Sequence, residues 1–226
     1  MFQTLKKDYM TKRVIIIGSA HPLRGGGIAT FNERLAKAYA DIGYDVSIVS
    51  FSLQYPSFLF PGKSQYTDEP APENLKIHTW LNSINPFNWI ITARKIKKLA
   101  PDILIVRFWI PFMGPSLGSV CRLIKRKINC RIVAVVDNAI PHEHRIGDKV
   151  FTKWFLKSVD AYVTMSKSVL NDLHFFDDKK PRIYTAHPLY DNFGRSVSKE
   201  EACEKLGINP QTKYLLFFGF IREYKG

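Results

Sequence analysis

Cysteine is scarce in this 226-residue chain: Cys121, Cys130 and Cys203 are the three, with no CxxC pair among them. So scattered and odd a set argues against a disulfide framework and against a thiolate metal site, and fits a reducing cytoplasm. Acidic residues are outnumbered 33 to 20 by Lys and Arg, which leaves a formal net charge of +13. That imbalance points to an anionic partner: nucleic acid, an anionic membrane surface or phosphorylated small molecules. No run approaches ~18 uninterrupted apolar residues, so no transmembrane helix is expected. The opening MFQTLKKDYMTKRVIIIG has no apolar stretch of signal-peptide length before strand-like residues begin. No repeat recurs at a solenoid period. Helix-turn-helix, zinc and RNP-type patterns are missing, and the aromatics are not interleaved with the cations as stacking platforms, which argues against nucleic acid.

What is present is an ordinary apolar fraction, 46%, distributed in short runs. Val14–Gly18, Val46–Phe51, Leu75–Thr79, Ile103–Arg107, Ile132–Val136, Ala161–Met165 and Ile183–Ala186 read as strands. Several carry Val and Ile on consecutive positions, the mark of strands buried on both faces. Between them, Ile28–Ile42, Trp89–Leu99, Leu117–Lys127, Lys149–Val159 and Lys167–Leu173 have helical periodicity, with Ser166 placed to cap the last. The alternation predicts an α/β fold, a doubly wound, Rossmann-like parallel sheet with right-handed crossovers.

The tail breaks the rhythm. Ser198-Lys-Glu-Glu201 is a capping box for a short helix, Lys199–Leu206, which Gly207 ends. A strand-like run, Lys213–Gly219, follows. The expected organisation is a first domain over 1–188, a connection over 189–211 and the start of a second domain over 212–226. A final edge strand of a single domain is the alternative.

Three consecutive glycines, Gly25, Gly26 and Gly27, stand between the first strand and the first helix. In an open α/β sheet this is the carboxyl edge, where ligands bind. Glycines there let a ligand approach the backbone, and the following helix N-terminus favours anions. The dinucleotide fingerprint fails, because Gly18 is followed by Ser19, Ala20 and His21. The phosphate-loop pattern also fails, because the Gly62-Lys-Ser64 triplet has Ser57 where the first Gly is needed. Two further regions are expected as loops near this edge: the Pro- and aromatic-rich Leu53–Asn74 and the apolar Phe108–Gly114.

Five segments in order resemble retaining, family 4-type glycosyltransferases of the two-Rossmann (GT-B) fold. Gly25-Gly-Gly-Ile-Ala-Thr-Phe-Asn32 is similar to the opening of that family's acceptor domain. Val135-Val-Asp-Asn-Ala-Ile-Pro-His-Glu-His144 resembles its "HN…PHE" segment. Ala161–Ser168 and His187-Pro-Leu-Tyr-Asp-Asn-Phe193 resemble a later strand and turn and the interdomain connection. Leu215–Gly226 resembles the "FFG-x-[IV]-R-x-YKG" opening of the donor domain. The resemblance implies transfer of a sugar from a nucleotide-sugar donor to a glycan or lipid-linked acceptor, with retention, in a cleft between two domains. It implies no cofactor beyond the nucleoside diphosphate sugar and no metal. A hexosyltransferase in cell-surface polysaccharide synthesis is expected, cytoplasmic and peripheral on the inner face of the plasma membrane.

By the same resemblance, Gly25, Gly26 and Gly27 face the cleft and, with Arg222 and Lys225, bind the donor diphosphate, where cations and N–H groups assist departure. Asn32, Trp109, Asn138 and Glu143 are the expected acceptor contacts, with Leu53–Asn74 and Phe108–Gly114 as candidate acceptor-contact loops. Where the family has the histidine of "HN", this chain has Asp137; it is expected either to orient or deprotonate an acceptor hydroxyl, or to cap the next turn. His142 is the other catalytic candidate. The family's Arg after the motif glycine is Phe220 here. The family's acidic E-x7-E segment has no counterpart before Gly226, so these residues alone are expected not to complete transfer. A non-catalytic sugar-binding module and a Rossmann-type nucleotide-sugar epimerase or dehydrogenase remain alternatives.

Ten cations lie between Arg94 and Arg131, against one acid, Asp102. Basic amphipathic helices can lie on anionic lipid, although ordinary surface helices packed on the sheet have the same look.

Overall fold

The computed structural model describes residues 11–24, 26–57, 60, 64–141, 145–190 and 194–217. The chain divides into two compact units, Met1–Ala186 and His187–Gly226.

The first unit is built on seven strands: β1 (Arg13–Ile17), β2 (Asp45–Leu53), β3 (Lys76–Asn82), β4 (Ile103–Phe108), β5 (Arg131–Val136), β6 (Ala161–Thr164) and β7 (Arg182–Tyr184). They form one sheet in the order β3-β2-β1-β4-β5-β6-β7, every neighbouring pair parallel. The doubly wound expectation is met. Val14 to Ile17 are wholly buried, as are Leu104, Val106, Ile132 and Val136, because helices cover both faces.

The helices are α1 (Gly27–Asp41), α2 (Pro86–Lys98), α3 (Gly114–Lys125), α4 (Asp148–Leu156) and α5 (Lys167–Asp172). Right-handed crossovers put α1 on one face of the sheet and α2, α3 and α4 on the other, where α3 packs against both of its neighbours. α2 begins three residues earlier than its apolar period suggests. Asn85 caps it, its side chain accepting from the N–H groups of Phe87 and Asn88, and Pro86 stands where no helix-internal N–H is needed. α3 starts at Gly114, straight after a 3-10 turn at Pro111–Met113, so much of the expected Phe108–Gly114 loop is strand end, turn and helix start. Ser166 occupies the N-cap of α5, but its hydroxyl bonds to that of Ser168 instead of a helix N–H. Phe108 of β4 stacks on Phe155 of α4 with ring centroids 4.4 Å apart.

In the second unit α6 (Lys199–Leu206) has the expected cap, with Ser198 Oγ accepting from the Glu201 N–H at 3.1 Å. Gly207 closes it at φ +66°. Residues 213–217, expected as a strand, run without regular structure, and Leu215 and Leu216 are exposed. A strand needs a neighbouring backbone to bond, and none of the described residues supplies one there.

Candidate functional site

The order of the sheet reverses direction at β1, and the carboxyl ends of β1, β2 and β4 converge on one edge. That edge carries a cleft of about 260 Å³. Ser19, Arg24, Gly26 and Gly27 form one side, Gln54, Tyr55, Phe60 and Gln65 a second, and Trp109 the third. Gly26 and Gly27, the described lining residues of the 53–74 segment and Trp109 after β4 thus meet in one place.

The first wall is held by tertiary bonds. Gly18 has no room for a side chain, since a Cβ there would overlap Asn32 Nδ2 and touch Arg107 Cβ at 3.0 Å. Asn32, 1% exposed, donates from Nδ2 to the Ser19 carbonyl at 2.9 Å. Ser50 Oγ donates to the Ala20 carbonyl, and Glu33 accepts the His21 N–H. Gly26 and Gly27 differ from Gly18. A Cβ on either would meet nothing within 4 Å, and Gly26 is in extended backbone, so neither packing nor backbone strain requires glycine. Their missing side chains leave open volume at the mouth of the cleft. α1 starts there with no side-chain cap and no acid in its first turn.

The second wall is pinned to the first. Leu23 bridges Tyr66, the Arg24 N–H donates to the Gln65 carbonyl at 2.8 Å, and the Thr67 N–H donates to the Pro22 carbonyl. Gln65 closes its own loop by bonding both backbone groups of Tyr55. Trp109 Nε1 donates to the Tyr55 hydroxyl at 2.6 Å and joins the third wall to the second. Burial raises the Tyr55 phenol above its usual range, and the Trp109 bond works against that rise. Ser19 donates to Gln54 Oε1 at 2.6 Å. The result is a cleft with walls tied to one another by hydrogen bonds, with aromatic faces and amide edges.

Beside it, Arg107 near the end of β4 grips Asp137 just past β5. Nε and Nη2 donate to the two carboxylate oxygens at 2.6 Å each. The guanidinium lies 4.0 Å from the Phe31 ring centroid. Nη1 is buried and has no hydrogen-bond partner among the described residues. The backbone N–H of Asp137 donates to the Phe108 carbonyl, and Asn138 Nδ2 donates to that of Trp109 at 3.3 Å.

Of the residues expected from sequence, Gly26, Gly27 and Trp109 line the cleft. Asn32 holds the first wall from behind. Asn138 braces the end of β4, and Asp137 is engaged by Arg107 through both oxygens. Gly25, His142, Glu143, Arg222 and Lys225 lie outside the described residues. Gln54, Tyr55, Phe60 and Gln65 fall within the loop expected near this edge, though none was singled out, and Arg107 was not foreseen. Only Arg107 carries a sequence signal, a charge inside the otherwise apolar run Ile103–Phe108. Among the described residues no group of three or more His, Cys, Asp or Glu could hold a metal ion, and no helix is long and apolar enough to cross a membrane.

The sequence model of Glycosyltransferase Family 4 matches residues 25–192, most of the chain. A search of curated proteins gave no significant match. Among solved structures, the catalytic domain of starch synthase IV from Arabidopsis thaliana, bound to ADP and acarbose, is similar at 16% identity and a TM-score of 0.51. The similarity covers 90% of this chain and 60% of that one. A sucrose-phosphate synthase structure from Thermosynechococcus elongatus is similar at 12% identity and a TM-score of 0.46, over 87% of this chain and 96% of that one. At such identities the likeness concerns the fold.

Proposed function

The chain belongs to Glycosyltransferase Family 4, and from that premise we propose that the protein transfers a sugar from a nucleoside diphosphate sugar to a glycan or lipid-linked acceptor, with retention at the anomeric carbon. The observation that carries this reading is the cleft. Gly26 and Gly27 leave open volume at its mouth, Tyr55, Phe60 and Trp109 offer aromatic faces, and Gln54 and Gln65 edge it with amides. Apolar rings that pack on sugar C–H faces, with a few placed polar groups, suit a carbohydrate. The acceptor binds in this unit, and Gly26 and Gly27 leave room for the donor phosphate at the mouth of the cleft. Arg222 and Lys225 assist departure of the diphosphate. Asp137, fixed by Arg107, orients an acceptor hydroxyl, with His142 and Glu143 of the same segment as its neighbours in the reaction.

The transferred sugar is a hexose, and the product belongs to a cell-surface polysaccharide made on the cytoplasmic side. The basic helices α2 and α3 hold the enzyme against the anionic inner face of the plasma membrane. No cofactor or metal is required beyond the sugar donor. These 226 residues are insufficient for transfer on their own.

The test is calorimetric titration of the 226-residue chain with UDP, GDP and ADP beside a chain extended past Gly226. An assay with the corresponding sugar nucleotides and NMR of the product anomer complete it. The expected result is nucleotide binding and retaining transfer only in the longer protein. Tight nucleotide binding by the 226 residues would make the cleft a nucleotide site and favour an epimerase or dehydrogenase. Sugar transfer by the 226 residues would refute the division of labour.

A further inference from the structure

The structure separates two features of α2 that the sequence blurs. Trp89 turns inward, half-buried, and its Nε1 donates to the Asn82 carbonyl at 2.8 Å. Thr92, Ala93 and Ile96 pack on the sheet. The opposite face carries Phe87, Ile90, Ile91, Arg94, Lys95 and Lys98, all exposed and spaced as one helical stripe. The stripe is polarised along the axis. Its first half is apolar, with Phe87 79% exposed, and its second half is entirely cationic. α2 contains no acidic residue.

α4, in the same layer beyond α3, exposes Val150, Phe151 and Trp154 among Lys149, Lys153 and Lys157. Each of these helices runs antiparallel to the strands it connects. The N-terminal end of α2, where its apolar residues lie, is therefore at the carboxyl edge of the sheet, the edge that carries the cleft.

We propose that the N-terminal half of α2 inserts Phe87, Ile90 and Ile91 into the interfacial region of an anionic bilayer while Arg94, Lys95 and Lys98 engage the headgroups, tilting the cleft edge toward the lipid. This rests on the membrane contact proposed above and changes its nature: charge alone brings the enzyme to the surface, and apolar insertion sets its orientation. The occupant is a membrane because the patch pairs exposed aliphatic and aromatic side chains with cations that no acid among the described residues pairs with, Lys95 also lying over the Trp80 ring, the combination that interfacial helices present to anionic lipid. An acidic protein would answer the cations and leave Phe87 and its neighbours without a purpose.

The experiment is flotation of the 226-residue chain with vesicles of mixed phosphatidylcholine and phosphatidylglycerol, and with phosphatidylcholine alone. It is run at about 0.1 M and about 1 M salt, between which the screening length falls from ~10 Å to ~3 Å. Three proteins are compared: the unaltered chain, the Phe87→Ser/Ile91→Ser pair and the Arg94→Gln/Lys98→Gln pair. All four positions are exposed, and circular dichroism verifies that each variant is folded. The expected result is binding to the anionic vesicles at low salt and a retained bound fraction at high salt. The serine pair loses that retained fraction and roughly tenfold or more in affinity. The glutamine pair loses mainly the salt-sensitive part. Complete release of the unaltered chain at high salt, or a serine pair that binds as well as it does, would overturn insertion and leave an electrostatic contact standing. Binding to neither vesicle at either salt would overturn the membrane contact altogether, with the transfer assay remaining as an independent measure of the enzymatic reading.

Discussion

Arg107 holds Asp137 through two parallel hydrogen bonds of 2.6 Å, across the adjoining carboxyl ends of β4 and β5. The arginine side chain is 4% exposed and the aspartate 18%. Removing one partner of so buried a pair leaves a charge without compensation, which costs about 3–5 kcal/mol. Asp137→Ala is expected to lower the unfolding free energy by that amount, read from the denaturant midpoint. The double change Arg107→Met/Asp137→Leu should recover part of the loss, because no charge then remains buried. If Asp137→Ala unfolds at the same midpoint as the unaltered protein, the pair is not the brace described.

The glycines around α1 separate packing from function. Gly18→Ala drives a methyl into Asn32 and against Arg107, and overpacking of this kind costs about 1–3 kcal/mol. Gly26→Ala and Gly27→Ala place a methyl in open volume, so stability should stay within about 1 kcal/mol of the original. Sugar transfer should fall in both, because the methyl occupies the mouth of the cleft. Thermal melts and initial rates on the same samples, both variants made in a protein extended past Gly226, decide it. Unchanged rates in both variants would move the ligand elsewhere.

The central strands were legible because they are short runs of consecutive Val and Ile, and a run such as Val-Ile-Ile-Ile is best buried on both faces. The triglycine turn was legible for the same local reason. The cleft as a whole was not. One of its walls comes from a loop with no period, and Gln65 acts there by bonding the backbone of Tyr55 ten residues away, which no pattern along the chain announces. The Arg107–Asp137 pair joins residues thirty apart, and only the out-of-place charge in β4 hinted at it. The starts of α2 and α3 were displaced because Asn85 and Pro111–Met113 begin the turn before the apolar period becomes visible.

Asp177 gives a pH prediction. Burial opposes its charge, but the N–H groups of Lys180 and Lys179, the Lys180 ammonium and the Tyr162 hydroxyl outweigh burial and bring it down to about 2. A carboxyl held below its unfolded value of 3.8 stabilises the fold above that pH, and the contribution is lost as the pH falls from there through about 2. Asp177→Asn should therefore be less stable than the original near neutrality and show a flatter decline across this acid window. Parallel acid-unfolding curves for the two proteins would contradict the assignment.

Trp109 distinguishes an acceptor cleft from a donor cleft. Its indole N–H holds the Tyr55 hydroxyl, while its ring meets Phe51 edge-on at 5.9 Å in the core. Trp109→Ala would remove both and cost about 3–5 kcal/mol, which obscures any effect on binding. Trp109→Phe keeps an aromatic ring against Phe51 and deletes the hydrogen bond, at a stability cost of about 1 kcal/mol. Tyr55 then loses the bond that fixes its ring at the cleft wall. If acceptor sugar packs there before and during transfer alike, the variant should raise the acceptor KM with kcat and the donor KM nearly unchanged, the pattern of lost uniform binding. A raised donor KM with an unchanged acceptor KM would instead give the cleft to the sugar nucleotide. Steady-state kinetics with each substrate varied in turn, on a protein extended past Gly226, separates the two outcomes.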